Sequence, residues 1–261
     1  MDRILLLLST FCFLMGFAYT MHALGARMYR ASRFNFGAIL CGFLFQTAFL
    51  MLRGHELKHC PLTNLFEVII FLSWAVVLLY FLTGSAYRLS LAGAFTSPLV
   101  FTLQVFALLA PIDVPRRPEV QPNRWLELHA AVSVVAYGAF ALAGVIGFMY
   151  LLQERQLKRH HLGTIFFHLP PIADLAVVLK RLLWTGFILL SAGLLSGFAV
   201  GSPIPKIVWG VAVWLVYGVI LLAEKWKKFS PRRIALLSLA AFALTLATLW
   251  GLNFISAGAK I

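Results

Sequence analysis

Eight long apolar stretches constrain the fold of this sequence more than any other feature. About 20 consecutive apolar residues cross the hydrocarbon core of a bilayer as a helix, and the stretches are continuous rather than alternating, which argues against β-strands. With 61% hydrophobic and only 12% charged residues, the composition excludes an ordinary soluble domain. The predicted spans are Ile4–Leu24, Phe34–Leu52, Thr63–Thr83, Leu89–Ala110, Leu126–Leu152, Leu182–Val200, Ile207–Ala223 and Ile234–Phe254.

These spans predict an all-α integral membrane bundle of eight transmembrane helices. Little sequence remains between them, so residues 1–261 are expected to form a single transmembrane domain. The first span has no small-residue cleavage site before Arg27 and is expected to stay uncleaved. Apolar positions at helical spacing in Ile172–Arg181 predict a short amphipathic helix on the inner surface before span 6, covered by lipid by default.

The formal net charge of +13 follows the membrane rather than indicating a nucleic-acid partner. Lys and Arg are concentrated in the connections after spans 1, 5 and 7, and an excess of basic residues marks the cytoplasmic side. Both termini are therefore expected on the outer side of the membrane. The membrane itself is expected to be the inner (plasma) membrane of a bacterial-type cell. The lipid bilayer is the first predicted partner.

The stretch WLELHAAVSVVAYGAFALAGVIGFMY, Trp125–Tyr150, combines a polar start with a long apolar helix. Glu127 and His129 stand where it meets the membrane, and an ionisable group there is costly unless it is paired or coordinated. Small residues at every fourth position let another helix approach closely, so an inner helix of the bundle is predicted. Those residues are Ala139, Ala143 and Gly147. A second set, in span 6, comprises Gly193, Gly197 and Gly201.

Glu67 lies about one turn inside the third span and has two interpretations. Pro61 can stop the preceding helix, and Thr63 or Asn64 can cap the next one. In that setting Glu67 is a first-turn glutamate favoured by the helix dipole. Alternatively, Glu67 lines an outer cavity shared with His129.

His55, Glu56 and His59 form a match to H-E-x-x-H, the zinc-peptidase pattern. The pattern binds zinc when a helix places both imidazoles on one face. Here it lies in a short polar connection just before Pro61, and no third ligand is spaced nearby. A solvated loop is the favoured interpretation, and a zinc peptidase remains a remote alternative.

The three cysteines predict no redox function. Cys12 and Cys41 lie within spans, and Cys60 lies in an outer loop. Without a C-x-x-C motif, a dithiol role has no support from the sequence.

Several predicted outer ends of the spans carry polar or aromatic side chains. Aromatic belts at the membrane interface account for many of them. A flat aromatic ligand with a metal and carboxylates would use the same groups, with imidazole for iron, aromatic rings around the ligand, and arginines such as Arg116, Arg117 and Arg124 for its carboxylates. Periodicity does not choose between the two. The residues are Asn64, Glu67, Trp125, His129, Trp209, Trp250 and Asn253.

A set of short motifs resembles the CcsA-type cytochrome c assembly family, and especially its short HemX-like branch. The motifs are Pro61–Glu67, His129–Tyr137, Leu169–Pro171 with Gly186–Gly197, Pro205–Tyr217 and Leu252–Asn253. The resemblance implies delivery of haem across the membrane and its attachment to apocytochrome c outside. It also implies that a tryptophan-rich outer segment and flanking histidines hold the haem.

The sequence departs from that family pattern at three places. His129 matches the first outer haem-ligating histidine, but Val200–Pro203 replaces the W-x-W-D core. The expected second outer histidine falls on Lys260, and a third falls on Leu222. The resemblance therefore implies an assembly factor rather than a haem-attaching enzyme, with haem b bound at most through one protein ligand. Other assembly subunits or apocytochrome c are the implied outer partners. The expected cofactor-binding residues are His129, Glu67, Asn64, Trp125, Tyr137, Trp209, Trp250 and Asn253.

Two alternatives remain open from the sequence. HemX-like proteins are implied to affect glutamyl-tRNA reductase, a cytosolic haem-synthesis enzyme, and Ile172–Arg181 would then be the docking surface. A transporter that does not use haem would also suit an outer polar pocket.

Overall fold

The structure, a computed structural model, describes residues 2–25, 33–87, 92–110, 112–113, 124–158, 170–201, 204–226 and 229–258. Within these ranges the chain is helical apart from short connections, which confirms the predicted all-α fold. The helices are α1 (Asp2–Gly25), α2 (Arg33–Leu57), α3 (Leu65–Tyr87), α4 (Ala92–Leu109), α5 (Arg124–Lys158), α6 (Ile172–Ala199), α7 (Ile204–Lys225) and α8 (Pro231–Gly258).

Seven of these helices, α1 to α7, contain segments long and apolar enough to cross a membrane. The chain is therefore a multi-pass membrane protein. An eighth crossing by α8, the outward orientation of both termini and the single-domain organisation stay predictions.

Helix α5 is the central helix of the second half of the bundle, as its small-residue stripe predicted. It is the longest helix and packs most extensively against α6, then against α8 and α3. Ala139 and Ala143 are fully buried. A Cβ added to Gly147 would lie 3.1 Å from the carbonyl oxygen of Ala235, so α8 approaches the backbone of α5 closely at this glycine.

The prediction of a separate short surface helix before span 6 is wrong. Ile172–Arg181 is helical, but it forms the first turns of α6, which runs without interruption to Ala199. Leu175 and Leu179, two of the apolar positions predicted to face lipid, are buried in the core. Lys180 is paired with Glu224 of α7, Nζ to Oε1 2.7 Å, and this pairing lets a charged residue lie in a continuous helix.

The glycines of span 6 divide into two groups. Gly193 and Gly197 are buried against α5, as predicted for close helix packing. Gly201 lies beyond the end of α6 with a φ of +68°, and nothing lies within 4 Å of the position that its Cβ would occupy. Its role is therefore to allow a left-handed turn rather than to pack against a helix.

Candidate functional site

His129 lies in the second turn of α5 and faces α6. Its Nδ1 is 2.6 Å from the carbonyl oxygen of Gly193 and 3.3 Å from Oγ of Ser196. The ring is half-buried between the two helices. His129, Gly193, Ser196 and Gly197 are referred to below as the His129 site.

These contacts determine which ring nitrogen of His129 carries the proton. The Gly193 carbonyl oxygen can only accept hydrogen bonds, and it already accepts one from the Ser196 hydroxyl at 2.8 Å. Nδ1 of His129 must therefore donate, which in the neutral ring leaves the lone pair on Nε2. No hydrogen bond of Nε2 is present among the described residues.

Glycine is required at position 197 for the ring to lie where it does. A Cβ at Gly197 would be 2.7 Å from Cε1 of His129, closer than side-chain carbons approach one another. A Cβ at Gly193 would likewise be 2.5 Å from the Ser133 hydroxyl. The close crossing of α5 and α6 is therefore what brings the imidazole to the Gly193 carbonyl.

Glu67 belongs to a second polar cluster, which we call the carboxylate network and which consists of Arg3, Arg53, Glu67 and Asp113. Glu67 is 1% exposed. Its Oε1 accepts from Nε of Arg53 at 3.2 Å, and its Oε2 accepts from both the amide and the hydroxyl of Thr63 at 2.8 Å. A buried carboxylate is thus paired with a cation and hydrogen-bonded at both oxygens.

Asp113 completes the carboxylate network. Its Oδ1 accepts from Arg53 at 2.7 Å and from the Asn64 amide at 3.2 Å, and its Oδ2 accepts from Arg3 at 2.9 Å. The network therefore joins the start of α1, the end of α2, the start of α3 and the residues that follow α4. Each carboxylate oxygen of Glu67 and of Asp113 therefore accepts at least one hydrogen bond.

Asn64 caps α3, as the sequence predicted. Its Oδ1 accepts from the backbone N–H of Glu67 at 2.8 Å, while Glu67 reaches back to the amide of Thr63. This reciprocal pattern is closely related to the capping box. The contacts of Glu67 match the first-turn interpretation.

The structure does not bring Glu67 and His129 into direct contact. Glu67 bonds to α2 and to the turn before α3, whereas His129 bonds to α6. A cavity of about 320 Å³ lies beside the carboxylate network, with Arg3 and Asp113 at its polar side and Phe66 and Ala107 to Ala110 around the rest. Neither Glu67 nor His129 lines it, so the expected shared cavity is not this one.

The other expected site residues are dispersed. Trp125 is 69% exposed at the start of α5, and Tyr137 lies two turns deeper than His129 in the same helix. Trp209 lines a small cavity between α7 and α8. The side chains of Trp250 and Asn253, like Arg116 and Arg117, lie outside the described part of the chain.

The loop thiol of Cys60 shows that the start of α5 is close to this corner of the molecule. Burial raises the pKa of Cys60 above its ordinary value, and the negative charges of Glu127 and Glu67 raise it further. Glu127, at the start of α5, therefore acts electrostatically on the same loop as Glu67. The two polar starts, of α3 and α5, lie on the same side of the bundle.

The H-E-x-x-H pattern lacks the geometry of a zinc site. Helix α2 ends at Leu57, and Lys58 has a φ of +58°, so His59 is not on the helical face of His55. Nδ1 of His59 lies 3.1 Å from the Cys60 carbonyl oxygen. Among the described residues no group of three potential metal ligands is present. The loop interpretation holds only for His59, because His55 and Glu56 lie in the last turn of α2.

Sequence reasoning missed the groups that surround the two ionisable residues. Arg53 and Asp113 are far from Glu67 in sequence, although a buried glutamate at a helix start is itself a signal that a cation must be nearby. Ser196 and the Gly193 carbonyl were missed because a backbone acceptor leaves no mark on composition. The G-x-x-S-G spacing of residues 193–197 was the available signal.

Comparison with known proteins shows similarity to a family of cytochrome c assembly proteins. The family model for "Cytochrome C assembly protein" matches residues 62–260. Proteins named "Cytochrome c biogenesis protein CcsA" are similar over most of the chain. The one from Chlamydomonas reinhardtii is 26% identical over 225 residues, which cover 80% of this chain and 62% of that protein. The one from Guillardia theta is 25% identical over 86% of this chain and 83% of its own length, and the one from Synechocystis sp. is 23% identical over 85% of each.

Proposed function

The chain belongs to the cytochrome c assembly protein family, and from that premise we propose that it is a membrane assembly factor in cytochrome c biogenesis that binds haem through His129. The similar proteins named for cytochrome c biogenesis support the role in assembly. The orientation of the His129 ring supports the haem ligand. Placement in the inner (plasma) membrane, with the His129 site outside, is part of the same proposal.

The single observation that carries the ligand role is the hydrogen bond from Nδ1 to the Gly193 carbonyl oxygen. Histidines that bind metals almost always donate their other ring N–H to a carbonyl or carboxylate, which fixes the tautomer and raises the basicity of the ligating nitrogen. His129 has this arrangement, with Nδ1 donating to the Gly193 carbonyl oxygen and Nε2 carrying the lone pair. Haem, when bound, supplies an iron that accepts an imidazole nitrogen as an axial ligand.

The residues around His129 suit one protein ligand to haem rather than two. Gly197 keeps the ring pressed against α6, and Ser196 lies against the protonated nitrogen. Together they orient the ring so that only Nε2 remains for a ligand. Because the sequence lacks the tryptophan-rich core and the further histidines of the family pattern, transient binding to an assembly factor is proposed rather than haem attachment.

Haem binding is tested on protein purified after expression with ample haem. We expect a Soret band and a haem-to-protein ratio that His129→Ala reduces at least tenfold, because the axial ligand is removed. His55→Ala is the matched control, since His55 is exposed in the last turn of α2 and has no place in the proposal. An equal Soret band in the His129→Ala protein would remove the assignment, while failure to support cytochrome c maturation would bear on the assembly role separately.

We propose as the second candidate function a regulator of a haem-synthesis enzyme, for which the docking surface would be one face of the first turns of α6. Since Leu175 and Leu179 are buried in the bundle, only the opposite face of the first turns of α6 is available, with Asp174, Val177 and Arg181 exposed. Replacing Val177 with Ser and Asp174 with Asn leaves the core intact. A fall in the abundance of glutamyl-tRNA reductase with an unchanged level of cytochrome c would favour this candidate. A fall in the level of cytochrome c with unchanged reductase abundance would favour the assembly role.

A further inference from the structure

Two cysteines on neighbouring helices lie at the same level inside the membrane-spanning part of the protein. Cys12 of α1 and Cys41 of α2 are near neighbours, since the side chain of Cys41 acts electrostatically on the Cys12 thiol. Both are free thiols. Cys41 is exposed on the perimeter of the bundle, and Cys12 is half-buried. Cysteine spacing along the chain did not predict this pair, because the two residues come from separate spans.

The packing of α1 against α2 places the two cysteines at the same depth. The helices are antiparallel, and the contacts on either side of the pair are the bond from Ser9 Oγ to the Gly42 carbonyl oxygen, 2.8 Å, and the ring pair Tyr19–Phe34, 4.8 Å between centroids. Cys12 and Cys41 lie between these contacts in the same register. Gly42 shortens the separation, since a Cβ there would be only 3.0 Å from the ring of Phe13.

We propose that Cys12 and Cys41 form a reversible disulfide within the membrane, with a lipid-soluble quinone as the oxidant. Two S–H bonds break and one S–S bond forms. The two electrons and two protons that are released reduce the quinone to a quinol. A dithiol reductant reverses the reaction and takes up the disulfide bond itself.

The location of the pair selects the kind of oxidant. Cys41 faces the lipid, so a reagent dissolved in the bilayer can reach it, whereas a charged aqueous oxidant cannot. The disulfide is uncharged and adds no ionic group to the membrane interior.

The disulfide is independent of the haem proposal. Helices α1 and α2 both precede residue 62, where the match to the family model begins. The cross-link would join α1 to α2 covalently and restrain their separation. It is a modification site in the part of the chain that the family model does not include.

The test uses full-length protein in lipid nanodiscs, exposed to a fully substituted benzoquinone that cannot add to thiols. After denaturation without reductant, free thiols are alkylated and the protein is analysed by mass spectrometry. We expect two of the three thiols to become protected, a peptide pair joined through Cys12 and Cys41, and full release by a dithiol reductant. Cys60 should remain alkylatable, and ferricyanide, which is confined to water, should leave the Cys12 and Cys41 pair reduced.

Matched variants separate this pair from adventitious oxidation. The double variant C41S/L44C keeps three thiols but moves one of them about a turn along the lipid-facing side of α2, where Leu44 is exposed. We expect its cross-linking to be at least tenfold slower. Alkylation of both membrane thiols after quinone treatment, equal cross-linking in C41S/L44C, or a disulfide that involves Cys60 would each overturn the proposal.

Discussion

The carboxylate network and the His129 site lie on the same side of the bundle, yet they use their polar atoms differently. In the carboxylate network every oxygen of Glu67 and Asp113 accepts from an arginine, an amide or a hydroxyl. In the His129 site one ring nitrogen is bonded to α6, and the other has no hydrogen bond among the described residues. An ionisable residue near a membrane face therefore indicates a ligand site only when some of its bonding capacity is left over.

The largest expected effect comes from breaking the carboxylate network. Arg53→Met leaves Glu67 and Asp113 without their shared cation in a poorly hydrated site, and removing one partner of a buried ion pair costs about 3–5 kcal/mol. We expect a marked loss of thermal stability in detergent, with an unchanged haem-to-protein ratio in the fraction that stays folded. Arg155→Met is the control, since Arg155 is exposed at the other end of α5.

A loss of haem from folded Arg53→Met protein would show that the two regions act as one site. A stability equal to that of the Arg155→Met control would show that the network contributes little.

Crowding the His129 site should have an intermediate effect. Gly197→Ala places a methyl group where the imidazole lies, and overpacking a well-packed contact costs roughly 1–3 kcal/mol. Because the ring must turn away from the Gly193 carbonyl, we expect haem affinity to fall by more than the stability loss accounts for. Haem titration and thermal unfolding of the same preparation measure the two effects.

Gly201→Ala is the control for substitution of a glycine in this region, since no atom lies within 4 Å of the new methyl group, although its φ of +68° carries some strain. Normal haem affinity in Gly197→Ala would mean that the ring position seen here is not the one that binds haem.

The smallest expected effect concerns the loop between the two regions. The pKa of Cys60 is raised above 9.0, chiefly by burial and then by Glu127 and Glu67, so its thiolate is scarce near neutrality. Alkylation should accelerate roughly tenfold per pH unit up to that raised pKa. Glu127→Gln removes a negative charge, lowers the pKa of Cys60 and should speed alkylation a few-fold at pH 8.

The faster alkylation in Glu127→Gln should disappear once the pH exceeds the pKa of Cys60 in both the variant and the unsubstituted protein, because the thiolate is then fully formed in each. Glu154→Gln, near the opposite end of α5, serves as the control and should leave the rate unchanged. A membrane-impermeant maleimide applied from one side also tests the predicted outer location of Cys60.

Hydropathy was sufficient to predict the helices, because each span needs a continuous apolar run and the sequence shows those runs directly. The cap at Asn64 and the close packing of α5 were also predictable, since both depend on residues near one another in the chain. The continuity of α6 was not predictable from hydropathy. Lys180 and Arg181 interrupt the apolar run, and only the pairing of Lys180 with Glu224 shows how a charge there is tolerated.

The candidate site was predictable only in part. His129 stood out because an imidazole at the start of an apolar helix is unusual. Its bonding partner is a backbone oxygen on another helix, and the donors to Glu67 and Asp113 come from several segments. Such long-range pairs are set by how the helices pack, which a single sequence does not record.

The uninterrupted course of α6 has a mechanical consequence. A helix of 28 residues is about 42 Å long at 1.5 Å per residue, so it behaves as a stiff rod reaching from one side of the bilayer to the other. The Gly193 carbonyl sits near one end of that rod and Asp174 near the opposite end. A tilt imposed at Asp174 therefore shifts the oxygen that orients the imidazole, and no flexible joint lies between them to absorb the motion.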